Sequence, residues 1–203
     1  MSSEVNIANL ALSHLGDSAT VSSLDPPEGS AQAEHCARFY PMARDALLQS
    51  HAWTFATKRK KLAELPKLWE QWEHTYAKPA DALVIHGILS PTATDDTADS
   101  QQPYSIEVGD DDSDVIFSDQ SLAIALYTRR VVDTTRFPPM FQMALSWQLA
   151  SMLAGPVLKG DTGAAESKRC MQVMDYWRSK AIESDANQRK IDMTHRASWI
   201  KAR

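Results

Sequence analysis

The chain has 203 residues, 43% of them hydrophobic and six of them tryptophan, enough for one ordinary domain with a core and too apolar for disorder throughout. Lys and Arg number 21 against 26 Asp and Glu, a formal net charge of −5, which excludes a phosphate-tracking surface over the whole molecule while leaving room for a local basic patch. Two cysteines, Cys36 and Cys170, are too few for a disulfide scaffold and read as the reduced thiols of an intracellular protein.

The opening MSSEVNIANLALSHLG has neither a basic segment nor a small-residue cleavage site, so no secretory signal is expected. Val5, Ala8, Leu12 and Leu15 recur at helical spacing behind the candidate caps Ser2 and Ser3, and Gly16 follows as a stop. Asp17 to Gly29, with Asp25-Pro26-Pro27, reads as a surface loop. Ser30 caps a second helix to about His51, with Ala33, Ala37, Tyr40, Arg44 and Leu47 near one face and Cys36, Phe39 and Ala43 on its other apolar edge. Pro41 lies inside that pattern and predicts a kink or a break. Trp53 and Phe55 then lead into the basic run Lys58-Arg59-Lys60-Lys61.

The middle of the chain changes character. Leu83-Val84-Ile85 is a short β-type run, Tyr104, Ile106 and Val108 alternate, Val115-Ile116-Phe117 forms another run, and Leu122, Ile124 and Leu126 alternate again. Short runs between Gly and Asp clusters predict a small antiparallel sheet. Asp95 to Asp119 holds nine acidic residues and no Lys or Arg, and Thr92 to Gln102 reads as a mobile polar loop. After Asp133 helical spacing returns. Pro138 and Pro139 suit the first turn of a helix to Ala154, ended by Gly155-Pro156. Gln142, Ser146, Gln148, Ser151 and Pro156 interrupt this most apolar stretch, Met140 to Leu158, where a membrane span needs ~20 predominantly apolar residues, so no membrane contact is expected. Asp161 or Thr162 caps a last long helix carrying Ala165, Met171, Met174 and Trp177. From Ala186 the pattern fades into a basic tail in which Arg189, Lys190, Arg196, Lys201 and Arg203 oppose only Asp192, with Trp199-Ile200 as its apolar pair.

The expected fold is therefore mainly α: an antiparallel helical bundle with a small antiparallel β insertion and an extended C-terminal arm. Its parts are the helical domain over 1–75 and 133–185, the β-rich insertion over 76–132 and the arm over 186–203.

Catalytic and metal motifs are not apparent. Gly155 to Thr162 has P-loop spacing but puts Asp161 where the phosphate-binding lysine belongs. Asp110-x-Asp112-x-Asp114 starts like a calcium loop, yet Val115 replaces the turn glycine and Ser121 the closing glutamate, leaving a solvated acidic turn as the better reading. The six histidines show no HExxH spacing and the cysteines no CxxC, so no metal or cofactor is expected. Glu70 and Glu73 beside Trp69 and Trp72 form the one carboxylate pair with an aromatic platform; the plainer reading is the wet edge of an amphipathic helix. Lys58 to Lys61 reads first as a solvated edge and second as a surface for phosphate or an acidic partner. A tail tryptophan flanked by cations has no core of its own to fill, which favours docking onto a partner over simple fraying.

Several stretches, in order, resemble one family. They are Asn9-x-Ala11-Leu12-x-x-Leu15-Gly16, Ser23-Leu24, Phe39-Tyr40-Pro41-x-Ala43-Arg44-Asp45-x-Leu47-Leu48, His51-x-Trp53-x-Phe55-Ala56-x-x-Arg59, Pro79-Ala80-Asp81-x-Leu83, Tyr127-x-Arg129-Arg130-Val131, Phe137-x-x-x-Phe141-x-x-Ala144-Leu145 and Trp199-Ile200-x-Ala202-Arg203. Together they resemble the head–tail connectors of short-tailed phages, the tail tubular protein A or tail accessory group. Departures are the acidic insertion Thr92 to Asp119 and Ala52, where relatives often carry proline.

The resemblance implies a non-enzymatic structural adaptor in the virion tail, made in the bacterial host cytoplasm. It would form a dodecameric ring of its own copies between the portal protein and the tail nozzle protein, with genomic DNA passing through the lumen. It also implies that the tail docks on the portal, with Trp199 and Ile200 as anchors and Arg196 and Arg203 as charged partners. Ring contacts are head-to-tail, and the acidic middle and basic carboxy-terminal half suggest opposite charges across them. Two alternatives stay open: a polysaccharide or cell-wall hydrolase on the same scaffold, and an unrelated helical interaction protein.

Overall fold

The computed structural model describes residues 3–188. Within them, helices α1 (Glu4–His14) and α2 (Ala31–Gln49) precede a block of strands, and α3 (Pro139–Leu158) and α4 (Gly160–Ala186) follow it. The Ser3 hydroxyl accepts the Asn6 amide at 3.1 Å, and the Ser30 hydroxyl accepts that of Ala33 at 3.1 Å, so both early helices are capped by serine. α2 runs unbroken through Pro41. The proline removes one backbone donor, and the buried Tyr40, Ala43 and Arg44 hold the turns beside it in the core.

α3 is the central helix, touched by α1, α2 and α4. Phe141, Ala144, Leu145, Leu149, Ala150 and Leu153 are buried around it, as expected of a helix with neighbours on several sides. It continues past Gly155-Pro156 to Leu158, where the Lys159 amide donates to the Gly155 carbonyl at 3.0 Å. The stop is supplied instead by left-handed backbone at Lys159 and Gly160, φ 57° and 56°. α4 therefore starts at Gly160 without a side-chain cap, and Asp161 and Thr162 lie inside it. Ile7, Leu12, Tyr40, Leu47, Trp53, Phe141 and Leu145 meet in one helical core.

The strands are β1 (Thr57–Lys61), β2 (Glu64–Leu65), β3 (His74–Ala77), β4 (Ala82–Leu89), β5 (Gln101–Gln102), β6 (Tyr104–Val108), β7 (Asp114–Ser118) and β8 (Ile124–Arg129). They make two antiparallel sheets, ordered β1-β8-β4-β5 and β2-β3-β7-β6. Only Leu62 and Ala63 separate β1 from β2, and only Pro103 separates β5 from β6, so the chain turns from one sheet into the other at both flanks. Leu62, Tyr76, Ile85, Ile88, Ile116, Ala125 and Tyr127 fill the space between the sheets. Both tyrosine hydroxyls in this second core are satisfied: Tyr76 donates to the Gln120 carbonyl at 2.6 Å and Tyr127 to Asp81 at 2.9 Å.

The expectation of a mainly α bundle is overturned. The described residues are 45% helix and 21% strand, with two four-stranded antiparallel sheets, a mixed α/β fold. The strands run from Thr57 to Arg129, whereas the β-rich insertion was expected over 76–132. β1 reads Thr-Lys-Arg-Lys-Lys, without apolar alternation, because four of its side chains stand in solvent. β2 and β5 are two residues each, too short for periodicity to register.

Candidate functional site

Three points on the molecule concentrate polar chemistry. The first lies where helices and sheets join. Asp45 on α2 accepts Arg44 Nε at 2.9 Å on one oxygen and Arg130 Nε at 2.8 Å on the other. Arg44 is buried, so its charge needs this carboxylate. The Arg130 amide in turn donates to the Asp81 carbonyl at 2.7 Å. Asp81, at the mouth of β4, accepts both the Tyr127 hydroxyl and, at 3.1 Å, the Lys58 ammonium. One polar chain thus runs from α2 through the link after β8 to the inner strand β8 and the edge strand β1 of the first sheet.

The second point is the end of α4. Asp185 is 4% exposed, and its carboxylate accepts the Thr54 amide at 3.0 Å and the Thr54 hydroxyl at 2.5 Å. His51 Nε2 stands 3.6 Å from the other oxygen. Beside it, the Trp53 indole is buried and donates to the Leu47 carbonyl at 3.0 Å. A small pocket of Trp53, Met140, Phe141, Ala181, Asp185 and Gln188 closes around this clamp. Residues 189–203 continue from here.

The third is the surface of the β unit. Lys58 to Lys61 are exposed on β1, with Lys58 paired to Asp81 and Arg59 to Asp96 at 2.6 Å. Opposite in sign is the β6–β7 turn. Its carboxylates do not converge: Asp111 accepts the Ser113 hydroxyl at 2.6 Å and Asp114 the Lys78 ammonium at 2.6 Å. Among the described residues, no group of three His, Cys, Asp or Glu side chains is placed to hold a metal ion. Both thiols are buried, and burial pushes each up to about 11, Cys36 with help from Asp17 and Cys170 with help from Glu166.

Glu70 and Glu73 lie between β2 and β3, on a loop rather than a helix. Glu70 pairs with Lys67 at 3.0 Å with its side chain open to water, and the Glu73 amide donates to Asp119 at 3.0 Å. Trp69 is 61% exposed there, and the Leu68 amide donates to Thr75. Arg196, Trp199, Ile200 and Arg203, expected to bind the portal, lie outside the described residues. Asp185 and Thr54 carry no sequence signal, since a lone acid near a fading helix end looks like any solvated carboxylate. No protein-family model matches the chain, and no curated protein matches it.

Proposed function

We propose that the chain is a structural adaptor of a phage tail, forming a dodecameric ring that joins the portal protein to the tail nozzle and lets genomic DNA pass. The observation that carries this reading is the polar chain Asp45–Arg130–Asp81–Tyr127. It links residues from three of the stretches that resemble the connectors, Ala43-Arg44-Asp45, Pro79-Ala80-Asp81 and Tyr127 to Val131. Apolar residues from distant stretches meet in any core, so their meeting says little. A half-buried carboxylate that pairs with two arginines, one of them 85 positions away, is a more specific meeting than apolar contact. Asn9, from another of those stretches, has a similar duty: its amide group accepts the Val21 N–H at 2.7 Å and donates to the Val21 carbonyl at 2.9 Å.

The Asp185 clamp supports the role given to the tail. It holds the end of α4, the last described helix before residues 189–203, and in this reading Trp199 and Ile200 are the apolar anchors on the portal and Arg196 and Arg203 their charged partners. Imaging the purified protein mixed with portal rings by cryo-electron microscopy tests the reading. A collar of copies beneath the portal, with density through Trp199, is the expected result; bare portals beside unbound protein, under conditions in which another adaptor assembles, overturn it.

A further inference from the structure

Of the four terminal strands of the two sheets among the described residues, β2 and β5 are two residues each, and the two longer ones, β1 and β6, differ in kind. In the sheet order β1-β8-β4-β5, β1 is terminal; in β2-β3-β7-β6, β6 is terminal. Among the described residues, Lys58–Lys61 and Tyr104–Val108 make backbone hydrogen bonds on their inner side only. Because β1 runs on into β2 and β5 into β6, these edges lie on opposite flanks of the unit. Each strand is five residues long.

Free strand edges invite pairing, and proteins ordinarily blunt them with lysine, proline or coverage. β1 is blunted by its cations. β6 is not: it has no cation and no proline, and it shows Ile106 at 40% and Val108 at 65% exposure around Glu107. The turn beyond it adds Asp110, Asp111 and Asp112. Among the described residues, Lys60, Lys61, Glu107, Asp110 and Asp112 form no ion pair within the chain.

We propose that the exposed edge of β1 in one copy pairs with the exposed edge of β6 in the next, Lys58–Lys61 lying along Ile106–Val108 and the acidic turn, to give a sheet continuous between neighbours. Like edges do not suit each other: two copies of β1 bring cation onto cation, and two of β6 bring acid onto acid. The unlike pair matches in length and charge and joins opposite flanks, the head-to-tail arrangement that closes into a ring by rotation. Every strand pair within the two sheets is antiparallel, and the contact between copies takes the same form, the pairing that hairpins also use. Main-chain bonds supply the attraction and the charges set the register and the partner. The inference rests on the ring reading above and names its contact.

Full-length chains carrying Lys60→Cys and Ile106→Cys together, at millimolar concentration with a short bismaleimide, test it. The reach of the reagent tolerates a shift of register, and Cys36 and Cys170 are buried away from it. A ladder of covalent oligomers is expected from the double variant. A mixture of the two single variants should give heterodimers and nothing larger. Adding Val108→Lys should reduce the ladder by about tenfold, the effect of ~1.4 kcal/mol per contact. All three positions are exposed, and thermal melts check that the variants fold. Dimers from a single variant alone would show like edges pairing and overturn the proposal. No ladder from a double variant whose parent chain sediments as an oligomer overturns the pairing and leaves the ring. No ladder and a monomeric parent overturn the pairing, and imaging with portal rings then decides the ring separately.

Discussion

His14 lies flat against Trp147, ring centroids 3.6 Å apart and planes 6° from parallel. Its Nε2 shares a 3.0 Å hydrogen bond with the Ser146 hydroxyl, and the Arg169 guanidinium sits 5.4 Å over the same indole. Burial, and then the Arg169 charge, lower the imidazole from 6.5 to about 4. The folded protein therefore keeps this ring neutral where the unfolded chain binds a proton. The stabilisation is complete above pH 6.5, declines as pH falls through the window and is gone below about pH 4. Thermal melts in steps across that window should show the wild type losing more than His14→Gln does. Parallel curves would sever the stack from the pH response.

The Asp185 clamp predicts an asymmetric pair of substitutions. Asp185→Ala takes the acceptor from the half-buried Thr54 amide and leaves the Thr54 hydroxyl only Gln188 at 3.3 Å, and should cost about 1–3 kcal/mol. Asp185→Asn keeps one acceptor oxygen and should cost less. Urea midpoints read both, and equal losses would mean that the carboxylate is not what holds Thr54.

At the junction, Arg130→Ala should be mild, because an exposed arginine pair contributes roughly 0.2–1 kcal/mol. Asp45→Ala should be worse than that, since it also leaves the buried Arg44 without its counter-charge. A double-mutant cycle over Asp45 and Arg130 separates the two contributions. Equal single-variant losses would count against Arg44 as the more demanding partner.

Two glycines of the α3–α4 pair should respond with opposite signs. A Cβ at Gly163 would stand 2.8 Å from the Ala154 carbonyl oxygen and 3.3 Å from Gly155 Cα, both backbone. Forcing α4 outward costs about 1–3 kcal/mol and exceeds the roughly 1 kcal/mol of helix propensity gained. A Cβ at Gly155 meets nothing within 4 Å, so Gly155→Ala should stabilise by up to about 1 kcal/mol. Chemical denaturation of both variants decides it.

Removing Ser198–Arg203 should leave the melting temperature unchanged and weaken portal attachment, measured by co-sedimentation with portal rings. Normal attachment by the shortened chain would remove the tail from the binding role.

The helices were largely legible in the sequence. Ser3 and Ser30 announce their starts through hydroxyl capping, and the stripes of Leu12 and Leu47 mark the buried faces. Pro156 misled, and Pro41 makes no break, because a single lost backbone bond is outweighed when neighbouring side chains are locked in a core. The β unit was read too small for the opposite reason. A strand such as β1 is made by pairing with β8, a contact between residues far apart in the chain, and its own side chains carry no apolar rhythm. Of the polar sites, Asp45, Asp81, Tyr127 and Arg130 were visible only as parts of the connector resemblance. Their mutual contacts belong to the folded arrangement of distant segments.

The two blocks of helix flanking the strands also set an order of events during synthesis. All eight strands are complete once Arg129 has emerged, so both sheets have every partner they need at that moment. α1 and α2 have waited since the start with Leu12, Tyr40, Leu47 and Leu48 uncovered, because α3, which packs on both, comes later. The helical core is thus the later part to complete although its first half is the earliest made. Asp185 reaches Thr54 only when α4 has been laid down, so the clamp at the root of the tail closes last.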